Sequence, residues 1–253
     1  MRFLELADVI LPTSDRYAKS SLFLREFLDK CVTVPLGVDV SRFRLVEAGK
    51  SLGGRTDVST VEQAERLRSE HGDRIVLFVG LLRYYKGLTY LIEAMEAVDG
   101  KLLIVGDGPM RSELEALVRK RRLLDKVVFV GKVPEDWLPA YFHCSDVFCL
   151  PAIFRSEAFG VCQLEAMACG KPVVSTDLDS GVPFVNQDGV TGLVVPPRDP
   201  RALAGAIGAL LTDRRRAVSM GEAGKRRVER EFTVRRMAES VLSVYEDLVG
   251  VSR

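Results

Sequence analysis

The sequence predicts an α/β protein built on a parallel sheet with helices on both faces. Two observations carry this. Short apolar runs at Val76 to Val79, Leu102 to Val105, Val127 to Val130, Val147 to Leu150 and Pro172 to Ser175 have the length and residue types of buried strands. They alternate with stretches of helical period, the mark of successive β-α-β units.

Taken in order, Asp8-Val9-Ile10-Leu11-Pro12-Thr13-Ser14 leads into a helix, and Val34-Pro35-Leu36-Gly37-Val38-Asp39 follows it. Segment 47–60, rich in Gly, Ser and Thr, is expected to be a flexible surface loop separating this opening piece from the body. Leu88, Leu91, Ile92, Met95 and Val98 keep the spacing of one helix face, as do Met110, Leu114, Leu117 and Val118. Gly170 and Pro172 close a further helix before the strand that follows. Met237, Val241, Val244, Tyr245 and Leu248 mark one apolar face of a last helix. No internal repeat is visible.

Composition narrows the function. With 253 residues the chain can bury a sizeable core, and a formal net charge of +1 argues against a nucleic-acid partner. No apolar run approaches the roughly 20 residues that cross a bilayer, and Met1 opens no secretory signal, so a soluble, cytoplasmic protein is expected. Cys31, Cys144, Cys149, Cys162 and Cys169 lack metal-ligand spacing and read as reduced core thiols. His71 and His143 are expected on the surface or packed in the core. The basic residues Arg214 to Arg216, Lys225 to Arg227, Arg230, Arg235 and Arg236 alternate with acidic ones as on a solvated helical face. A weak attraction to an anionic membrane surface is the alternative.

The chemistry is concentrated between Ser156 and Met167, where seven residues separate Glu157 from Glu165. Phe159-Gly160-Val161 can open a helix whose free amides and positive end face an anion. Glu157 then lies in the loop beside whatever is attached to the phosphate. Glu165 lies about 8 Å farther along the axis, within reach of a ribose on the same phosphate. A carboxylate suits a vicinal diol because it accepts two hydrogen bonds at once.

This Glu-x7-Glu segment resembles the signature of glycosyltransferase family 4, retaining enzymes of the GT-B fold. Matches continue in the family's order through Phe78-Val79-Gly80, Lys86-Gly87, Leu91-Ile92-Glu93-Ala94, Gly106-Asp107-Gly108-Pro109, Val130-Gly131 and Thr191 to Pro196. The resemblance implies a Rossmann-like donor-binding domain over 41–253, with 1–40 as the remnant of an N-terminal acceptor domain and its hinge. The last helix would cross back to that domain.

Carried onto this chain, the family's roles give Glu157 to the donor sugar's hydroxyls, with Phe159, Gly160 and Val161 nearby. They give Lys86 to the departing diphosphate at the Gly80 loop and Glu165 to the ribose, with backbone around Lys132 and Val133 at the base. The family's arginine after the first glycine is Leu81 here. Either Arg83 substitutes for it, or Lys86 and the helix amides hold the diphosphate alone. The implied reaction moves a hexose from a nucleoside-diphosphate sugar to a glycan or lipid-linked acceptor without metal or cofactor, at most with peripheral contact to the cytoplasmic face of a membrane. Arg83-Tyr84-Tyr85-Lys86-Gly87 resembles bacterial polysaccharide mannosyl- and rhamnosyltransferases, which points to GDP-mannose.

Four other readings compete. A nicotinamide site at Gly106-Asp107-Gly108 fails because Arg111 stands at the third small position and Gly131-Lys132 offers no acidic ribose ligand. Asp177 and Asp179 could chelate a metal, but turn chemistry before Ser180-Gly181 accounts for them. A nucleotide-sugar binding module that needs a separate acceptor-domain chain stands as the alternative to a transferase, and a sugar-nucleotide epimerase is disfavoured by the transferase-like motifs.

Overall fold

A computed structural model describes residues 2–45 and 59–250. Positions 47–58 of the expected 47–60 loop therefore lie outside the described residues. Ser59 and Thr60 at its end are buried and open a helix instead. In chain order the elements are α1 Arg2–Leu6, α2 Asp15–Ser20, α3 Thr60–His71, β1 Ile75–Val79, α4 Leu88–Ala94 and β2 Lys101–Val105. There follow α5 Arg111–Lys120, β3 Val127–Gly131, α6 Leu138–Cys144, β4 Val147–Leu150, α7 Val161–Ala168 and β5 Val173–Thr176. α8 Val182–Val185, β6 Gly192–Val195, α9 Pro200–Thr212, α10 Arg214–Glu231 and α11 Val234–Val249 complete the series.

All six strands are parallel, in the order β3-β2-β1-β4-β5-β6. This is the doubly wound arrangement, in which the order reverses between β1 and β4 and opens a crevice at their carboxyl ends. Helices α4 and α9 pack together on one face with α5 against α4, while α3, α6, α7 and α10 cover the other. The five expected strands are present within a residue at either end. β6 is an addition that the apolar runs do not include, because it is short and contains glycine. It is fastened by Asn186, whose Nδ2 donates to Val173 O at 3.1 Å and Leu193 O at 3.2 Å, while Thr191 Oγ1 donates to its Oδ1 at 2.9 Å.

The core sits on both sides of the sheet. Phe78, Phe142, Phe148 and Phe232 are among its largest fully buried side chains. The face expected from Leu88 to Val98 is buried throughout, but α4 stops at Ala94, and Met95 and Val98 pack from the turns before β2.

One further expectation is corrected. The basic stretch of α10 is not wholly solvated: Arg227 is buried, donating to Phe184 O at 3.0 Å and pairing with Glu231 at 2.6 Å. Its guanidinium lies 5.0 Å from the Phe232 ring centre, a packing use of charge that a helix of alternating signs does not reveal. The last helix has its expected apolar stripe, but no residue of α11 is buried, and Tyr245 and Leu248 are exposed.

The opening segment docks on the loops that follow β4 and β5. Arg16 pairs with Asp177 at 2.8 Å and Asp179 at 3.3 Å, Ser20 Oγ donates to Asp179 O at 2.8 Å, and Arg155 donates to Ser20 O at 2.9 Å. The two aspartates thus face a cation of α2. Farther on, Val38 forms a parallel bridge with Thr233, and Gly37 lies so close that a Cβ would come within 2.4 Å of Thr233 O. The free cysteines Cys144, Cys149 and Cys169 are buried, and Cys31 and Cys162 partly so. No described helix is long and apolar enough to cross a membrane.

His143 belongs to the packed interior. Its Nε2 donates to Phe43 O at 2.8 Å, fastening the 3-10 turn Val40–Phe43 onto α6. Burial lowers its pKa to about 4, with Lys171 and Lys225 adding to the effect and the bond to Phe43 opposing it. The unfolded chain therefore binds a proton at this site that the folded chain refuses. Stability from neutral His143 is complete above pH ~6.5 and is lost as pH falls toward about 4, by at most ~3 kcal/mol. Urea unfolding of the native chain and His143→Gln across that window should show a smaller fall in the variant.

Candidate functional site

Two segments converge where the strand order reverses. β1 ends in Val79-Gly80 and continues through a 3-10 turn, Tyr84–Lys86, to Gly87 and α4. β4 ends in Leu150-Pro151 and continues through Phe154 and Glu157 to Gly160 and α7. The two loops touch: Ile153 N donates to Tyr85 O at 2.8 Å. Gly87 has φ 71°, and a Cβ there would come within 2.0 Å of Pro151 O, so only glycine permits both the backbone conformation and the approach.

That approach brings Lys86 onto Glu157. Nζ lies 2.5 Å from Glu157 Oε2, and the two side chains are only 11% and 10% exposed. Oε2 finds no hydrogen bond of normal angle in the protein, so charge attraction holds the pair. Burial works against the Lys86 ammonium, but the sulfur of Cys162 and the Glu157 carboxylate outweigh it and raise its pKa above the ordinary lysine value. The Cys162 thiol is itself pushed up to about 12 by burial. It is therefore uncharged near neutrality, where Glu157 is the effective partner. Gly80 lies directly below: a Cβ there would sit 3.6 Å from Lys86 Nζ.

α7 begins beside this pair, with Cys162 of its first turn near enough to act on Lys86. Gly160 precedes it in the left-handed region, and no side chain caps its first turn. The expected Phe159-Gly160-Val161 opening is therefore present, but the Phe159 ring turns inward, 6.4 Å from Phe184 and 6.1 Å from Phe232. What Phe159 offers to a ligand is backbone. Glu165 lies farther along α7 and is half-buried. Burial raises its carboxyl pKa, Arg42 lowers it, and Glu135 raises it again.

The remaining expected residues divide. Leu81 is 46% exposed, whereas Leu82 is fully buried, so a larger polar residue at 81 has room. Arg83 is exposed and forms no ion pair among the described residues. Lys132 is exposed and Val133 packs partly against the core, both immediately after β3. The Gly106-Asp107-Gly108 turn serves neighbouring backbone: a Cβ on Gly106 would come within 2.1 Å of Gly80 O, and Leu82 N donates to Asp107 O at 2.9 Å. Its glycines shape the β1 loop.

Two residues whose charges act on Glu165 escaped the motif reading. Arg42, in the 3-10 turn Val40–Phe43, pairs with Glu135 of the β3–α6 loop at 2.9 Å. They stand far apart in sequence and carry no spacing signal. Among the described residues no cluster of three potential metal ligands is present.

The comparisons agree with this geometry. Residues 60–227 match the family model described as glycosyl transferases group 1. The chain is 33% identical over 249 residues to an O-antigen chain mannosyltransferase C of Escherichia coli, covering 98% of this chain and 63% of that protein. It is 34% identical over 232 residues to the D-rhamnosyltransferase WbpZ of Pseudomonas aeruginosa, covering 92% of this chain and 57% of that one. Among solved structures, sucrose-phosphate synthase from Thermosynechococcus elongatus superposes with a TM-score of 0.83 at 30% identity, over 99% of this chain and 61% of that one. The chain thus spans about three fifths of the length of such relatives.

Removing one member of a buried pair strands the other's charge, at a cost of about 3–5 kcal/mol. Lys86→Met should lose stability on this scale in urea unfolding. Adding Glu157→Gln should recover more than half of it, and equal losses in the single and double variants would show that the pair is not coupled.

Proposed function

The chain belongs to the glycosyl transferases group 1 family, and we propose that it is the donor-binding half of a retaining hexosyltransferase. It holds a nucleoside-diphosphate sugar across the β1 and β4 loops for transfer to a glycan or lipid-linked acceptor. The observation that carries this reading is the meeting of Lys86 and Glu157 at the strand-order reversal, beside the uncapped start of α7.

Each charge has a task there. The diphosphate draws Lys86 away from Glu157 and gains the α7 amides, and Glu157 turns its acceptor oxygens to the sugar's hydroxyls. As the bond to the anomeric carbon lengthens, negative charge grows on the diphosphate. The fixed ammonium and helix end stabilise it without reorganising. Glu165 holds the ribose, and the backbone at Lys132 and Val133 lines the base. The names of the mannosyl- and rhamnosyltransferase relatives support a hexose and a bacterial polysaccharide acceptor, and GDP-mannose is our candidate donor.

Residues 1–40 are read as the edge of the acceptor-binding domain and its hinge, with 41–253 as the donor domain. Phe3, Leu22 and Phe23 expose most of their surface, and the stripe of α11 is half-buried at Met237, Val241 and Val244 and exposed at Tyr245 and Leu248. These faces are where an acceptor domain would rest. They also favour the second reading, a nucleotide-sugar binding module that turns over only with a separate acceptor-domain chain. The site of action is the cytoplasm, with the basic face of α10 allowing contact with the inner membrane surface.

Calorimetric titration should show that the chain binds a nucleoside diphosphate but transfers sugar poorly without an acceptor half. Glu165→Ala should weaken that binding by roughly 1.5–3 kcal/mol, the scale of hydrogen bonds to a charged acceptor. Unchanged affinity with an intact fold would remove Glu165 from the site. At the exposed Leu81, Leu81→Arg should tighten diphosphate binding, lose the gain as salt rises, and leave nucleoside binding unaltered. Equal diphosphate affinity before and after would place the phosphates elsewhere.

A further inference from the structure

The loops after β1, β4 and β6 build an aromatic cluster that the donor reading leaves unused. Tyr84 stands at its centre. Its ring lies 5.7 Å from that of Phe154 at 66° and 5.7 Å from that of Tyr85 at 89°, so two edge-to-face contacts hold it. The segment that carries Phe154 is braced in turn. Arg155 donates to Ser20 O at 2.9 Å and lies 5.1 Å from the Tyr17 ring centre, which fastens the β4 loop to α2. From the loop after β6, Arg198 sets its guanidinium 4.5 Å from the Phe154 ring centre. Arg198 has φ 60°, a left-handed backbone that a side chain keeps only where its surroundings hold it.

Rings so firmly placed are nevertheless open to solvent. Tyr84 is 60% exposed and Phe154 41%. A ring that exposes 60% of its surface leaves much of one face bare. The Tyr84 hydroxyl and the Arg198 guanidinium form no hydrogen bond among the described residues, so unused donors stand at the rim of this face. The cluster also adjoins the reacting centre. Lys86 Nζ lies 5.8 Å from the Tyr85 ring centre, and Glu157 N donates to Phe154 O at 3.0 Å.

We propose that Tyr84 is the platform on which a pyranose ring of the acceptor glycan stacks, with Phe154 bracing it and Arg198 donating to the sugar's hydroxyls. The inference rests on the donor site described above and adds an acceptor contact on the donor half. A pyranose suits this surface. Its C–H groups form an apolar face of slight positive charge, which meets the negative face of an aromatic ring, while its hydroxyls reach outward to the rim. A lipid chain would cover the rings and leave the rim donors without partners. The donor's own sugar is tied to the diphosphate at Lys86 and faces Glu157, which leaves Tyr84 to the acceptor.

The test is saturation-transfer NMR titration of the purified chain with mannobiose, with calorimetric titration of GDP, UDP and ADP as the control. Irradiating the protein's aromatic protons should transfer saturation to the C–H protons of mannobiose. Tyr84→Ala, at an exposed position that tolerates substitution, should weaken mannobiose binding roughly tenfold, the scale of one stacking contact. Tyr84→Phe keeps the ring face and should lose far less, and both variants should bind nucleoside diphosphate as the native chain does. No saturation transfer, or equal mannobiose affinity in the native chain and Tyr84→Ala, refutes the platform while the donor site stands. Displacement of mannobiose by GDP-mannose would give the platform to the donor sugar and overturn the acceptor role. Binding to phosphatidylcholine vesicles that Tyr84→Ala abolishes, without binding of mannobiose, would make the cluster a lipid face and overturn it too. If none of the three nucleoside diphosphates binds, the donor site is refuted and the acceptor role with it.

Discussion

The site depends on one buried attraction, that of Lys86 for Glu157 across the gap between the β1 and β4 loops. Two opposite charges removed from water must find each other. Here they do so because the strand order reverses between β1 and β4, so that the connections leaving these two neighbouring strands run on to different helices and open a crevice between them. Their meeting also explains the glycines around them. Gly87 lets the β1 loop lie on Pro151, and Gly106 lets the β2 loop lie on Gly80, so the lysine is carried on backbone packed from two sides. A rigid mount is what an electrostatic role requires, since charges that need not move at the moment of reaction stabilise developing charge best.

The same economy of buried charge recurs at the far side of α7. Arg227 of α10 lies against both the Phe184 and Phe232 rings, and its hydrogen bonds to Phe184 O and Val185 O tie α8 to α10. Phe159 joins that aromatic group. The residue just before α7 is thus fastened to the core, and the helix presents its amides from a fixed position.

Surfaces around this body differ sharply from its interior. The sheet and its covering helices bury their apolar residues, whereas α11 buries none and the opening segment leaves Phe3 and Phe23 largely bare. Val38 and Thr233 meet where these two regions approach one another, so both exposed faces are hung from one junction.

Much was legible in the sequence. Buried parallel strands are continuous apolar runs, and the β-branched stretches from Val76 to Ser175 therefore declared five of six strands. β6 escaped because its pairing rests on Asn186 and Thr191 and not on a run of its own. Within the site, Glu157, Gly160 and Glu165 belong to one short segment whose spacing along a helix is local geometry. What tertiary structure alone decided was partnership across sequence distance. Nothing in the order of residues tells that Lys86 closes on Glu157, that Phe159 turns into the core, that Arg227 leaves the solvent, or that Arg42 finds Glu135. Periodicity encodes which face a residue occupies. Which charges share a crevice is settled by strand order and by the loops' close approach, and both of these are properties of the packed chain.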